Sequence, residues 1–519
     1  MQRLVAAALA AAVLIPVPGP STAQDVRLTS RDGSVEIDGT LLSFDGEYYR
    51  LDTVYGILTL DGSGVTCAGP SCPDPEAFVP DFLISGAAET GAVLIPSLLE
   101  AFAERDGYAF ARQEEDASHF TYVLSDATTG AVGARARFRV TSSDEGFADL
   151  LAEQADIVLS FREVSQAELE RAQEAGLGDL SRPARSRVAA LDGIVAVVAP
   201  DNALQSITLP QVAQVLSGEI ANWRALGGPD AEIQLHLRNP RSGLSQSLRD
   251  AILGANGPSV RLDATRYRTT AELADAVSTD PFAFGIATYS ERGSARALAL
   301  AGSCGTLTRA TATALQAEDY PLTAPHFIYT PARRIPRIAR EFLAFIQSPE
   351  AQPVIRELGF VDQTLTSIPL ARQGDRLAKA VLNAGQEIGL RELRRMVSAL
   401  NEAARLTMSF RFEGGSSELD AQSRANISLL AEAVNRGRFD GRTLIFAGFS
   451  DGRGGAASNR DLSRRRAEAV RDAVLALVDA DAAEAVTFDT DGFGEALPMA
   501  CDNDGWGQRV NRRVEIWLR

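Results

Sequence analysis

The sequence predicts an α/β protein built on parallel sheets, preceded by a small β-rich module and followed by a separate C-terminal unit. Three observations carry that expectation. From Asp81 to about residue 370, short apolar runs alternate with helical patterns, the texture of βα units whose strands lie parallel. Before it, residues 25–75 consist of short alternating segments punctuated by Asp-Gly, a pattern for hairpins. After it, a run at Thr443–Phe446 feeds a glycine-rich loop that leads into a helix near Asp461.

Composition bounds the protein before any element is placed. At 519 residues the chain can hold three or four domains, and 45% hydrophobic with 23% charged residues describes an ordinary globular protein. A net charge of −17 excludes a nucleic-acid partner, because a phosphate backbone demands a basic face. Residues 1–23 read as a secretory signal peptide: Met1-Gln-Arg3, an apolar run from Leu4 to Ile15, then Ser21-Thr-Ala23 at the cut. No cysteine stands at the cut and no other apolar run approaches the length of a membrane span, so a soluble periplasmic protein is expected.

In an exported chain, four cysteines invite disulfides. Cys67 and Cys72 enclose Ala-Gly-Pro-Ser, whose Gly and Pro supply a turn, and a bridge is predicted there. Cys304 and Cys501 fall in different predicted domains; they either staple those domains or stand as two separate buried residues, and the second is expected.

In the β-rich module the segments are Ser34–Ile37, Thr40–Phe44, Glu47–Leu51 and Tyr55–Leu60, with Asp-Gly at 32, 38, 45 and 61 marking turns of a meander. In the α/β region, strands are predicted at Phe82–Gly86, Ala134–Thr141, Ala155–Leu159, Gly193–Ala199 and Gln234–Leu237. Small hydroxyl or glycine residues recur where those strands end: Ser85-Gly86, Ser142-Ser143, Ser160 and Ser242-Gly243. Hydroxyls beside free backbone N–H groups make a neutral cradle for an anion, with Arg162 and Arg238 just beyond strands to supply charge. The candidate contacts are Ser85, Thr90, Ser143, Arg162, Arg238, Ser242 and Gly243. Residues 371–403, with Leu377, Val381, Leu393, Val397 and Leu400 at helical intervals, read as a helical connector.

In the C-terminal helix, Leu462, Val470, Val474 and Leu477 are expected to face the sheet, and Arg466 lies on the same seam. An arginine on a packed face must meet an anion, either Asp451 in the preceding loop or a ligand carboxylate. Arg and Asp presented together suit a zwitterion, the guanidinium gripping a carboxylate and the aspartate accepting from an ammonium.

Two resemblances add to this reading. Phe449-Ser-Asp451-Gly, Asn459, Leu462–Ala467, Gly492-Phe-Gly-Glu495 and Asn511-Arg-Arg-Val-Glu515 resemble the C-terminal domain of outer-membrane protein A and its relatives, over about Leu406 to Arg519. That resemblance implies an α+β domain at 404–519 that binds peptidoglycan non-covalently, Asp451 and Arg466 holding the diaminopimelate of the stem peptide. Asn459 and Arg512, in the same blocks, join them as candidates. Where the family has His-Thr before the Asp, this chain has Phe449-Ser450.

Residues 81–370 are similar to the phosphate-binding proteins of ABC importers. Ile84–Thr90, Ala155–Arg162, Ile207–Gly218 with Asn222-Trp223, Arg238–Gly243 and Ala283–Ile286 carry that likeness. It implies a two-lobed type II periplasmic binding protein fold closing on a small oxyanion, phosphate first, with an ABC permease as partner. The family's Ser-Gly-Thr reads Ser242-Gly243-Leu244 here, which loses one hydroxyl, with Ser245 and Ser247 the nearest replacements.

Catalysis, cofactor and metal are not expected. The three histidines, His119, His236 and His326, lack metal-ligand spacing, and there is no nucleophile elbow, P-loop or dinucleotide fingerprint. The leading expectation is an oxyanion-binding protein tethered to peptidoglycan; the alternative is a structural envelope protein whose binding-protein unit contacts other proteins.

Overall fold

The computed structural model describes residues 25–519 except 76, 255–256, 383–387, 414–417 and 503–504, so the expected signal peptide lies outside the described residues. The chain divides into two compact units, residues 1–80 and 81–519.

The first unit is a five-stranded antiparallel sheet in the order 56–61, 48–53, 36–44, 26–30, 65–68. Its small core is Val26, Leu28, Tyr49 and Leu51. Three of the four Asp-Gly pairs sit at bends or turns. At the first, Gly33 adopts φ +71°. At the third, Asp45 Oδ1 accepts from Glu47 N and Tyr48 N while Gly46 adopts φ +94°. The fourth caps a single 3-10 turn, Asp61 accepting from Ser63 N.

Asp38-Gly39 is not a turn. Glu36–Phe44 runs straight through it, because Asp38 pairs with Arg27 on the neighbouring strand and a side chain at 39 would sit 2.7 Å from Asp52 O. Cys67 is bonded to Cys72, with Cα atoms 5.8 Å apart.

In the second unit, residues 81–360 build an eleven-stranded mixed sheet that serves two lobes, and a separate small sheet of 206–207, 299–301 and 307–308. Strands 132–141, 81–87 and 157–160 lie parallel in the first lobe, and 265–267, 234–238 and 283–288 lie parallel in the second. Contrary to a purely parallel expectation, antiparallel strands flank both sets. The hairpin strands Tyr108–Glu114 and His119–Asp126 were not legible. The first is an edge strand exposed on nearly every residue, so it lacks the alternation by which a half-buried strand is recognised.

The two lobes share one thirteen-residue strand, Ser186–Val198: its first part pairs with Thr323–Tyr329 and its last with Ala283–Thr288. Each lobe buries its own face. Phe82, Leu98, Phe102, Ile157 and Phe342 fill the first, and Val197, Leu235, Leu273, Val277 and Phe284 the second.

The last 150 or so residues build a five-stranded sheet in the order 367–369, 404–411, 513–518, 443–448, 487–492, in which only 443–448 and 487–492 run parallel. Successive residues of 443–448 serve opposite faces. Leu444 and Phe446 meet helices 421–435 and 456–475, while Ile445 and Ala447 meet helices 374–382 and 390–400. The stretch expected as a connector is therefore the cover of this sheet's second face, through Leu393, Met396 and Leu400 packed against Trp517 and Phe449.

The long helix begins at Ala456 rather than near Asp461, and its buried face is Asn459, Ser463, Arg466, Ala467, Val470 and Val474. Leu462 is only half-buried, and Leu477 is exposed beyond the helix end at Leu475. Gly448 allows this close packing: a Cβ there would meet Ser463 O at 1.9 Å.

The expectation for the other two cysteines is corrected. Cys304 and Cys501 are bonded to one another, Cα atoms 5.6 Å apart. Folding brings the 302–306 turn against the end of the C-terminal unit, where Thr306 Oγ1 also contacts Cys501 Sγ, a proximity that a sequence separation of 197 conceals.

Candidate functional sites

Two sites emerge, one between the lobes and one at the edge of the C-terminal sheet. In the first, most of the expected hydroxyls are committed within the protein. Ser85 donates to Asp149 Oδ2 at 2.6 Å, Thr90 Oγ1 lies 2.8 Å from His326 Nδ1, and Ser143 Oγ accepts from Phe161 N at 3.2 Å. Arg162 is bound by Asp144 at 2.5 Å and by both oxygens of Glu168 at 2.8 and 2.9 Å. These four therefore face structural partners.

Arg238, Ser242 and Gly243 do come together. Strand Gln234–Arg238 delivers Arg238, and Ser242 caps the helical segment from Gly243 by accepting from Ser245 N. The residue that meets them was not among the candidates. Glu89, from the first lobe, accepts from Leu244 N at 3.1 Å, and its Oε1 lies 3.6 Å from Arg238 Nη2. Its side chain is 1% exposed and that of Arg238 is 8% exposed. Glu89 Oε2 and Arg238 Nε are buried with no hydrogen-bond partner among the described residues. Ser247 Oγ donating to Phe161 O at 2.6 Å, and Gln246 to Asp144 at 2.8 Å, close the same seam between the lobes.

The surroundings are acidic. Asp192, 1% exposed, accepts from Gly193 N, Ser290 N and Ser290 Oγ, and lies 3.6 Å from His326 Nε2. Burial pushes the Glu291 carboxyl up, against a hydrogen bond from Thr270 and the charge of Arg238, with Asp192 and Glu89 adding to the rise. Glu89 stands inside a stretch of small residues otherwise rich in donors, Ser85-Gly-Ala-Ala-Glu-Thr90. An acid there is the signal that was available, but its partners come from 150 residues downstream.

In the second site, the loop after strand 443–448 presents Asp451 and the long helix presents Arg466. Asp451 does not pair with Arg466: its Oδ2 accepts from Arg512 Nη1 at 2.8 Å and its Oδ1 from Arg453 N at 3.3 Å. Asn459 fastens the loop from the helix, Nδ2 reaching Asp451 O at 3.3 Å and Glu495 Oε2 at 3.2 Å.

Arg466 is 7% exposed and its guanidinium lies over the Phe412 ring, 4.9 Å from the centroid. Its Nε and Nη1 are buried and have no hydrogen-bond partner among the described residues. Burial and then the charge of Arg512 push its pKa down, with Asp451 opposing. A guanidinium with free N–H groups beside an aspartate can donate to a carboxylate and accept from an ammonium carried on one ligand.

Comparisons with known proteins divide the chain at the same place. Residues 96–350 match the PBP superfamily domain and residues 411–512 match the OmpA family. A 212-residue stretch, 40% of this chain, is 24% identical to the phosphate-binding protein PstS of Borreliella burgdorferi and covers 71% of it. A 117-residue stretch, 22% of this chain, is 32% identical to outer membrane porin F of Pseudomonas aeruginosa and covers 32% of it. Among solved structures, an ABC-type phosphate transport receptor from Vibrio cholerae aligns over 54% of this chain and 99% of its own, with 20% identity and a TM-score of 0.41. No helix among the described residues is long and apolar enough to cross a membrane.

Proposed function

From a chain that joins a PBP superfamily domain to an OmpA family domain, we propose a periplasmic protein held non-covalently on peptidoglycan, carrying there a cleft for a small oxyanion. The observation that carries the anchoring is Arg466, an arginine with two buried nitrogens unpaired among the described residues, beside an aspartate already oriented by Arg512. A buried, unpaired guanidinium costs free energy unless a ligand completes it, and a diaminopimelate carboxylate does so while its ammonium meets Asp451. Pull-down on purified sacculi tests this: the wild-type chain is retained, and the Asp451→Ala and Arg466→Ala proteins are not. Retention of both would remove the assignment.

The oxyanion reading rests on Arg238, Ser242, Gly243 and the Leu244 N–H in a cleft between lobes, with the likeness to a phosphate-binding protein making phosphate the first candidate. An importer permease is the partner this reading implies. Calorimetric titration with phosphate, sulfate and arsenate should give binding that Arg238→Ala abolishes. A second reading, a binding-protein unit kept as an envelope scaffold, is favoured by the internal commitment of Ser85, Thr90, Ser143 and Arg162. Absence of binding by any anion would favour it.

A further inference from the structure

We propose that Glu89 is a built-in occupant of the anion cleft, a carboxylate of the chain itself that an incoming oxyanion must displace. The proposal rests on the oxyanion reading of the cleft and concerns what sets its affinity.

Glu89 crosses from the first lobe to buried donors that the second lobe presents. Its Oε1 takes the Leu244 N–H at 3.1 Å and stands 3.6 Å from Arg238 Nη2. Its Oε2 lies so close to the turn that a Cβ at Gly243 would come within 2.7 Å of it, and the carboxylate would have to shift to admit one. The same missing side chain would approach Phe161 Cβ at 3.0 Å, which shows how little space remains around the carboxylate.

The fit is nevertheless incomplete, and that distinguishes an occupant from a structural ion pair. Glu89 Oε2 is buried with no hydrogen-bond partner among the described residues, and the Arg238 side chain otherwise holds, among them, a long bond of 3.4 Å to Thr270 Oγ1. Where a carboxylate and a buried arginine form a structural pair in this protein they meet closely: two Arg405 nitrogens lie 2.6 and 2.8 Å from the oxygens of Asp319, against 3.6 Å between Arg238 and Glu89. A planar carboxylate on a tether cannot satisfy donors that converge from Arg238 and Leu244 as a free tetrahedral group could.

An oxyanion cannot simply join Glu89 there. Asp192 and Glu291 already face the site, the histidine near them is His326, and Arg238 is the cation that touches the carboxylate. The Leu244 N–H and the Arg238 guanidinium are taken by Glu89, so an oxyanion gains these donors only when the carboxylate gives them up. Binding therefore requires the state in which Glu89 has left, and apparent affinity falls in proportion to how rarely that state is populated.

The test is calorimetric titration of the full chain with inorganic phosphate and with sulfate, for wild type, Glu89→Ala, Glu89→Gln and the Glu89→Ala/Arg238→Ala double variant. Circular dichroism checks that each is folded. If the departed state is held to about 1% of molecules, Glu89→Ala binds phosphate about 100-fold more tightly than wild type. Glu89→Gln, which keeps an acceptor for Leu244 N but removes the charge, falls between them, and the double variant loses the gain.

Wild type binding as tightly as Glu89→Ala overturns the proposal and leaves the oxyanion reading standing. Folded Glu89→Ala and Glu89→Gln proteins that bind no anion overturn both. Should Glu89→Ala fail to fold, Glu89→Gln carries the test, and affinity equal to wild type refutes the occupant role.

Discussion

Arg405, on the strand Ala404–Arg411, grips Asp319 with two nitrogens, at 2.6 and 2.8 Å, although 86 residues separate them. The arginine is 1% exposed. Around it, Ser409 Oγ donates to Ala317 O at 2.9 Å, Arg411 donates to Glu318 O, and Glu163 Oε1 accepts from Ala421 N at 3.0 Å. The two family-matched segments are thus joined along a buried polar seam, and what the C-terminal unit holds is held rigidly with it.

The first prediction concerns the covalent part of that junction. Closing a loop of 197 residues removes chain entropy from the unfolded state worth about 5 kcal/mol in the loop model. Cys304→Ser should therefore lower the thermal midpoint, while the Arg405–Asp319 pair keeps the segments docked. In a Cys304→Ser/Arg405→Ala protein, scanning calorimetry should resolve separate transitions. A single unchanged transition would show that neither contact couples the segments.

The second concerns pH. Burial is the first cause that pushes the Glu318 carboxyl up to about 8 and the Glu163 carboxyl up to about 7, from an ordinary 4.5. Between these values the folded chain holds protons that the unfolded chain has released, so their contribution to stability is complete below 4.5 and is lost as pH rises toward 8. The midpoint of thermal unfolding should fall across that range in wild type and fall less in Glu318→Gln. Equal slopes in the two proteins would refute it.

A third prediction addresses the buried charge cluster of the C-terminal sheet. Glu515 is wholly buried and meets Arg376 at 2.6 Å, Arg513 at 2.8 Å and Arg405 at 3.4 Å, with Trp517 Nε1 donating at 3.1 Å. Despite the opposing effect of burial, those arginines hold its carboxyl far below the usual range. Glu515→Ala leaves Arg376 and Arg513 without their carboxylate, Arg405 keeping Asp319, and should destabilise the protein by about 3–5 kcal/mol, read from urea unfolding. A loss below about 1 kcal/mol would mean that water or a rearranged partner replaces the carboxylate.

The fourth separates recognition from support at the wall site. Arg512 is already paired with Asp451, whereas Arg466 Nε and Nη1 are buried with no hydrogen-bond partner among the described residues, so Arg512→Ala should weaken sacculus binding less than Arg466→Ala does. Losing one partner of a buried charge contact costs about 2–5 kcal/mol, so Arg466→Ala should weaken it by about 30-fold or more. Co-sedimentation with sacculi measures both, and the reverse order would move the carboxylate-binding role to Arg512.

Much of this protein could be read without coordinates because it is written in local patterns. Alternation and Asp-Gly pairs marked most of the first sheet, and the order of βα units marked the lobes. Arg466 stood out because a charge on an apolar helical face is improbable without an anion, and both residues involved lie on one strand–loop–helix segment.

Other features depend on residues distant in sequence, and only the tertiary structure decided them. Asp38-Gly39 has the composition of a turn, yet it is strand because Arg27 and Asp52 face it from neighbouring strands. Cys304 met Cys501 and Glu89 met Leu244 across separations of 197 and 155 residues. The sequence by itself determined which elements form and which chemistry they carry, because propensity and periodicity act within a few residues. Which buried charge meets which donor was decided by packing, since desolvation forces a partner upon Glu89 and Arg405 but leaves its identity to whatever the fold brings within about 3 Å.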